Sequence, residues 1–161
     1  MFCWYAAGTV VVIWNVFQTN GLDVRILALG GLLPVLVDLP VGHQAFGHTL
    51  LAPVAALTIV MLATVGRGRR LLRRRLLGLP IGWMCGVALA GSFVHQQIFW
   101  WPAFGTDFDR VPIYPALPVA CVLEAIGLLA AAWCWNRFGL RDPVRRADFW
   151  RHGRVAAVEV T

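Results

Sequence analysis

Leu117-Pro-Val-Ala-Cys-Val-Leu-Glu-Ala-Ile-Gly-Leu-Leu-Ala-Ala-Ala-Trp-Cys-Trp135 carries one charged residue, Glu124, in an otherwise apolar run. Such a run approaches the ~20 residues that cross a ~30 Å hydrocarbon core as a helix. Residues 50–65 and 76–101 form two further runs that approach or exceed that length. The opening segment 1–17 is also apolar. It lacks the positive n-region of a secretory signal and a convincing cleavage site, so it reads as a retained helix. The expected fold is therefore all-α: a polytopic membrane helix bundle of four long transmembrane helices plus one short broken or re-entrant segment. Residues 1–138 would form the bundle and residues 139–161 a basic cytoplasmic tail.

Composition agrees. Of 161 residues, 59% are hydrophobic and 14% charged, whereas soluble domains carry about a quarter charged residues. The net charge of +6 comes from arginines gathered in two clusters, 67–75 and 137–154, each directly beside an apolar run. That is the pattern of cytoplasmic loops, where positive charge sets orientation, and it argues against nucleic-acid binding. Arg67, Arg69, Arg70, Arg73, Arg74 and Arg75 are placed to meet anionic headgroups of the bilayer. Cys3, Cys85, Cys121 and Cys134 are widely spaced in apolar surroundings and read as small buried residues, not a disulfide framework.

With both clusters cytoplasmic, residues 76–101 lead outward and the outside loop 102–117 carries Asp107, Asp109 and Arg110. Residues 118–138 return to an inner tail, with a short interfacial helix around 143–150. Segment 24–39 is awkward. Its apolar core, 26–37, rises only about 18 Å as a helix, and Gly30, Gly31 and Pro34 weaken it. It either crosses as a short kinked helix or is re-entrant, and Arg25 favours the crossing. Phe99-Trp100-Trp101-Pro102 marks an outer boundary, where Trp prefers the headgroups. The location implied is a bacterial plasma membrane, multi-pass, with the C-terminus cytoplasmic.

Val37-Asp-Leu-Pro-Val-Gly-His-Gln-Ala-Phe-Gly-His-Thr-Leu50 gathers Asp38, His43 and His48 near the outer surface. Imidazole and carboxylate are usual donors for zinc and related divalent ions, but interfacial histidines need only hydrogen bonds, and both readings stay open. Glu124, well inside its helix, is either a ligand or proton-transfer group or a carboxyl that fixes helix packing. His95, beside Gln96 and Gln97, approaches the same region or is simply solvated at the interface. Asn15 and Gln18 suit interhelical hydrogen bonding or capping. No GxSxG, P-loop, GxGxxG or HExxH pattern occurs. One intramembrane carboxylate and no repeat make a conduction path a poor fit.

The order Gly30-Gly-Leu-Leu-Pro-Val-Leu-Val-Asp38, Gly47-His-Thr-Leu50, Leu79-Pro-Ile-Gly82 and Ile98-Phe-Trp-Trp-Pro102 resembles the YdjM-like family of membrane-bound, metal-dependent hydrolases. The likeness is to its short actinobacterial members, and it extends to the Leu-Glu-Ala-Ile-Gly run at Glu124 and to Arg137-Phe-Gly-Leu-Arg-Asp-Pro143. The resemblance implies a metal site from a Pro-Asp-x-x-Asp turn, a downstream histidine and a later His-x-x-x-Asp. Asp38 and His48 match two of those positions. Val35, Gly86 and Ala90 stand where three other ligands are expected. The resemblance thus implies a member with a degenerate metal site, serving as a non-catalytic accessory or scaffolding subunit beside another membrane protein. The alternative is an active metal-dependent hydrolase near the outer leaflet, working on a lipid phosphoester, with Asp38 and His48 as ligands and Glu124 or His95 orienting water.

Overall fold

The computed structural model describes residues 1–17, 23–66, 69–105, 108 and 110–153. Among them, eight α-helices follow in order: α1 (Phe2–Phe17), α2 (Val24–Asp38), α3 (Leu51–Ala63), α4 (Arg70–Leu76), α5 (Gly78–Leu89), α6 (Gln96–Phe99), α7 (Leu117–Arg137) and α8 (Pro143–His152). No strand occurs among the described residues; His43 and Pro112 form a single antiparallel bridge.

Local chemistry explains several boundaries. Asp23 precedes α2 and its carboxylate accepts from the Arg25 amide at 3.1 Å, satisfying one of the donors that a helix start leaves free. Asp142 does the same for α8 through the Val144 amide at 3.0 Å, with Pro143 at the first helical position, where its missing N–H costs nothing. Gly153, at φ +65°, ends α8.

The tightest packing joins α1, α2 and α5. A Cβ added at Gly30 would run into the Leu79 carbonyl oxygen, one at Gly82 into that of Leu27, and one at Gly86 into that of Gly31. A Cβ at Gly31 would strike Thr9 Oγ1 of α1. The backbones touch because side chains are absent there, as in close-packed helices where small residues replace bulky ones. A second apolar cluster joins α1, α2 and α7 with the tail: Val10, Ile13, Leu27, Cys134, Phe138 and Leu140 are buried together, with Phe149 of α8 against them. Trp14 and Phe138 meet edge to face at 5.0 Å.

The expectation of four long membrane-crossing helices is corrected. Of the described helices only α7, at 21 residues, is long and apolar enough to cross a bilayer. Helix α1 has 16 residues and α3 has 13, about 24 and 20 Å at ~1.5 Å per residue. The run 76–101 does not form one helix. It stops at Leu89, turns through Gly91 at φ +71° and resumes as a 3₁₀ turn, Ser92–Val94, and the short α6. The run 50–65 forms a helix only over Leu51–Ala63, with Leu50 and Thr64 as its caps, and the 3₁₀ turn Phe46–His48 keeps it from extending backwards. The expected broken segment is also different: α2 is continuous across Pro34, because the first-turn cap and the glycine contacts with α5 hold it where propensity does not.

Candidate functional site

Helix α2 ends at Asp38, and the chain turns back through Gly42 at φ +78°. It then passes through the 3₁₀ turn that carries His48 and enters α3. Asp38 organises this whole loop. Its Oδ1 accepts from the Gly47 amide at 2.7 Å; its Oδ2 accepts from the Ala45 amide at 2.7 Å and lies 2.7 Å from His48 Nδ1. Its backbone carbonyl accepts from the amides of Val41 and Gly42. The loop rides directly on α2, since a Cβ at Gly47 would lie 2.6 Å from the Pro34 carbonyl oxygen and 2.9 Å from Asp38 Oδ1.

Neighbouring elements fasten the loop from outside. Trp83 of α5 donates its indole N–H to the Gly47 carbonyl at 2.8 Å. The Gln44 amide donates to Val111 at 2.8 Å, and the Leu50 amide to Phe99 at 2.9 Å. Thr49 Oγ1 donates to the Phe46 carbonyl and accepts from the Ala52 amide, so it ties the 3₁₀ turn to the first turn of α3. The outcome is closed: Asp38 is 1% exposed and His48 fully buried.

Asp38 and His48, singled out by sequence, are therefore brought into direct contact, but with each other. A carboxylate that accepts two amides faces Nδ1 of the ring at 2.7 Å, which favours the tautomer with its proton on Nδ1. In that tautomer Nε2 is an acceptor. Nε2 is buried with no hydrogen-bond partner among the described residues. A carboxylate behind a histidine is the arrangement that orients metal-bound or general-base imidazoles. The residues present do not fit a divalent-metal centre, however. Asp38's oxygens face three donors of its own loop, leaving His48 Nε2 as the one available donor of that pair, and zinc needs three protein ligands even in an open site. Among the described residues no group of three His, Cys, Asp or Glu side chains could hold a metal ion.

The other candidates lie elsewhere. His43 is half-buried, with Nδ1 3.1 Å from the carbonyl of its neighbour Gln44. His95 is half-buried at the start of α6. Glu124 reaches the start of α1: Oε1 accepts from the Cys3 amide at 3.2 Å, Oε2 from the Trp4 amide at 3.4 Å, and Oε2 lies 3.3 Å from the Met1 amine. One turn further along α7, a Cβ at Gly127 would collide with the Trp4 backbone. Glu124 and Gly127 thus present one face of α7 to the first turn of α1, and the carboxylate caps that helix. Where the family pattern expects further ligands, Val35 is buried with Tyr5 and Ile113, Ala90 packs on that cluster, and Gly86 is filled by the α2 backbone.

Of the arginines named for headgroup contact, Arg69, Arg70, Arg74 and Arg75 are exposed and Arg73 is half-buried; Arg67 lies outside the described residues, as do Gln18, Asp107 and Asp109. Sequence reasoning missed an ion pair at the opposite end of α2. Asp23, 4% exposed, pairs with Arg25 through Nε at 3.2 Å and Nη2 at 3.1 Å, while Arg25 Nη1 donates to the Trp150 carbonyl at 2.7 Å. Burial alone would raise the Asp23 carboxyl, but the hydrogen bonds and charge of Arg25 and the amides at the helix start outweigh it and hold it below its ordinary range. The signal was available, because an aspartate just before an apolar helical run is an N-cap pattern.

Comparison of the chain with family models, curated proteins and solved structures finds no match. The resemblance to the YdjM-like family rests on the quoted motifs.

Proposed function

We propose that this chain is a membrane-resident helical scaffold, without a catalytic centre of its own, that works by association with another membrane protein. The observation that carries this reading is the surface of α7. Only 11% of its most apolar stretch is buried, and Leu117, Val122, Leu128 and Leu129 are turned outward. Exposed in water, such a face would forfeit ~25 cal/mol for every Å² of apolar surface, and contiguous patches of this kind mark membrane or protein contact.

Charge supports the same reading. Glycine contacts pair the start of α5 with the start of α2, and Gly153 of the tail also abuts Asp23. The arginines of α4, the α7 terminus and α8 therefore gather with Arg25 at one end of the bundle. Arg110, in the loop that pairs with His43 and Gln44 through Val111 and Pro112, belongs to the other. Exposed Phe46, Phe93, Trp100 and Phe104 accompany that arginine-poor end. Arginines to the cytoplasm and aromatics at the boundary is how membrane proteins are oriented. Absence of catalysis is supported by how the two carboxylates are used: Asp38 holds its loop and Glu124 caps α1. Descent from a YdjM-like hydrolase would account for Val35, Gly86 and Ala90.

The test is fractionation followed by native electrophoresis. The chain is expected to stay in the membrane pellet after alkaline carbonate and to migrate in a complex of fixed stoichiometry with a second membrane protein. Recovery in the soluble fraction would overturn membrane residence. The hydrolase reading keeps one observation on its side, the unpartnered Nε2 of His48 oriented by Asp38. Elemental analysis of purified protein separates the two: one tightly held zinc per chain, lost on His48→Ala, would favour the hydrolase.

A further inference from the structure

An open cleft of about 210 Å³ lies between α1, α2, α7 and α8, lined almost wholly by apolar atoms of residues such as Ala7, Val10, Ala131, Cys134, Phe138 and Phe149. Its size is informative. Pockets for drug-sized ligands span roughly 300–1,000 Å³, whereas an apolar cavity of about 150 Å³ accepts benzene. At about 210 Å³ this cleft is too small for a drug-sized ligand and holds a short apolar stretch, such as part of an acyl chain.

Its position says which chain. Val24 and Leu140 also line it, and their sequence neighbours are Arg25 and the exposed Arg141. Phe149 lies one turn beyond the exposed Arg146 on α8, which places the two on one helix face. The wall formed by α8 is held in place by Arg25 on the Trp150 carbonyl and by the Val24 amide on the Gly153 carbonyl at 2.9 Å. An apolar slot whose lining residues Val24, Leu140 and Phe149 have arginines as chain or helix neighbours complements a molecule with an apolar tail and an anionic head.

We infer that this cleft seats an acyl chain of an anionic phospholipid, with Arg141 and Arg146 at its headgroup. The inference rests on the membrane reading above and assigns α8 a purpose within it: the tail helix closes one side of a lipid site.

The test reconstitutes the full chain into bilayers containing phosphatidylglycerol or phosphatidylcholine that carries a photoactivatable group in the acyl chain, then maps the labelled residues. Labels on Leu140 and Phe149 are expected, several-fold stronger with phosphatidylglycerol. Ala131→Trp, which fills the cleft, is expected to cut them at least fivefold while leaving labels on the outward Leu128 and Leu129 unchanged. Arg141→Gln combined with Arg146→Gln, both surface changes that leave the packing alone, should bring phosphatidylglycerol down to the phosphatidylcholine level. Labels confined to outward α7 positions, labelling unchanged by Ala131→Trp, equal labelling by both lipids, or stronger labelling by a photoactivatable free fatty acid would each overturn the inference. Labels at Leu128 and Leu129 report membrane residence separately, so their presence without cleft labels sinks the lipid site alone. Their absence sinks the membrane reading.

Discussion

Asp38 is the residue on which the candidate site turns, and its neighbours explain why it is structural. Three donors at 2.7 Å converge on one buried carboxylate, and truncating it leaves two amides and an imidazole without water or partner. Each buried donor left without an acceptor costs about 1–3 kcal/mol, so the three together, toward the low end of that range, cost about 3–5 kcal/mol. Asp38→Ala is expected to lower unfolding stability in detergent by that amount, whereas His48→Leu should cost only about 1–2 kcal/mol, because it removes one bond and also the stranded Nε2. Equal losses from both changes would contradict this division. Asp23 offers a pH-dependent test, because its pairing with Arg25 outweighs its burial and lowers its carboxyl. Its folded carboxyl lies below the ordinary ~3.9, so its contribution is fully present above about pH 4 and lost as pH falls through the lower folded value. Acid should therefore release the tail from α2. Hydrogen exchange at the Val24 amide, which donates to Gly153, is expected to accelerate in that window in the parent chain and to show no such step in Asp23→Asn.

The helices were legible where chemistry is local. The apolar run around Glu124 predicted α7 within a residue or two, and the Pro143 region predicted α8. What escaped was where long apolar runs stop. Gly91 reads as a tolerated small residue in a run, but it adopts the left-handed conformation that ends the helix, and nothing apolar in residues 92–101 signals it. The loop before α3 was likewise illegible because its shape is set by Asp38 bonding to groups seven to ten residues ahead, which no local pattern encodes. The contact between α2 and α5 had a readable signature: Gly78, Gly82 and Gly86 recur every four residues and share one face, the spacing that lets membrane helices touch. Gly86 reads as a missing ligand from the family pattern, yet in the fold it is occupied ground. Restoring the family histidine by Gly86→His should therefore create no metal site. It should drive α2 and α5 apart and cost more than 4 kcal/mol, the range reserved for overpacked or broken cores. Thermal unfolding with and without added zinc checks this, and zinc-dependent stabilisation of the variant would refute it. Glu124→Leu should fray the first turn of α1, losing about 1–2 kcal/mol for the two orphaned amides, while Glu124→Gln keeps an acceptor and most of the stability.

At the scale of the whole molecule, charge is the organising quantity. Asp38, Glu124 and the aromatic loops stand at one end, and every described arginine except Arg110 stands at the other. Such polarity does little for the packing of the bundle, since exposed ion pairs are worth a kcal/mol or less, but it acts on everything outside. Each arginine near an anionic surface contributes about 1 kcal/mol of attraction, so the exposed Arg69, Arg70, Arg74 and Arg75 together outweigh any single helix-end preference. If these residues set orientation, replacing all four with glutamine should leave the fold intact while mixing the two orientations in the membrane. With the four native cysteines replaced by alanine, because Cys121 is itself exposed, cysteines introduced at the exposed positions Val41 and Val144, at opposite ends, report this directly. In intact cells a membrane-impermeant maleimide should reach Val41→Cys and not Val144→Cys in the parent background. In the four-glutamine background both should react in part. Unchanged one-sided labelling would mean that the second cluster, Arg141, Arg145, Arg146 and Arg151, suffices alone, and neutralising it as well should then produce the mixture. Labelling of both sites in the parent chain would show that no bilayer separates the two ends, and the charge polarity would need an explanation on a protein surface instead.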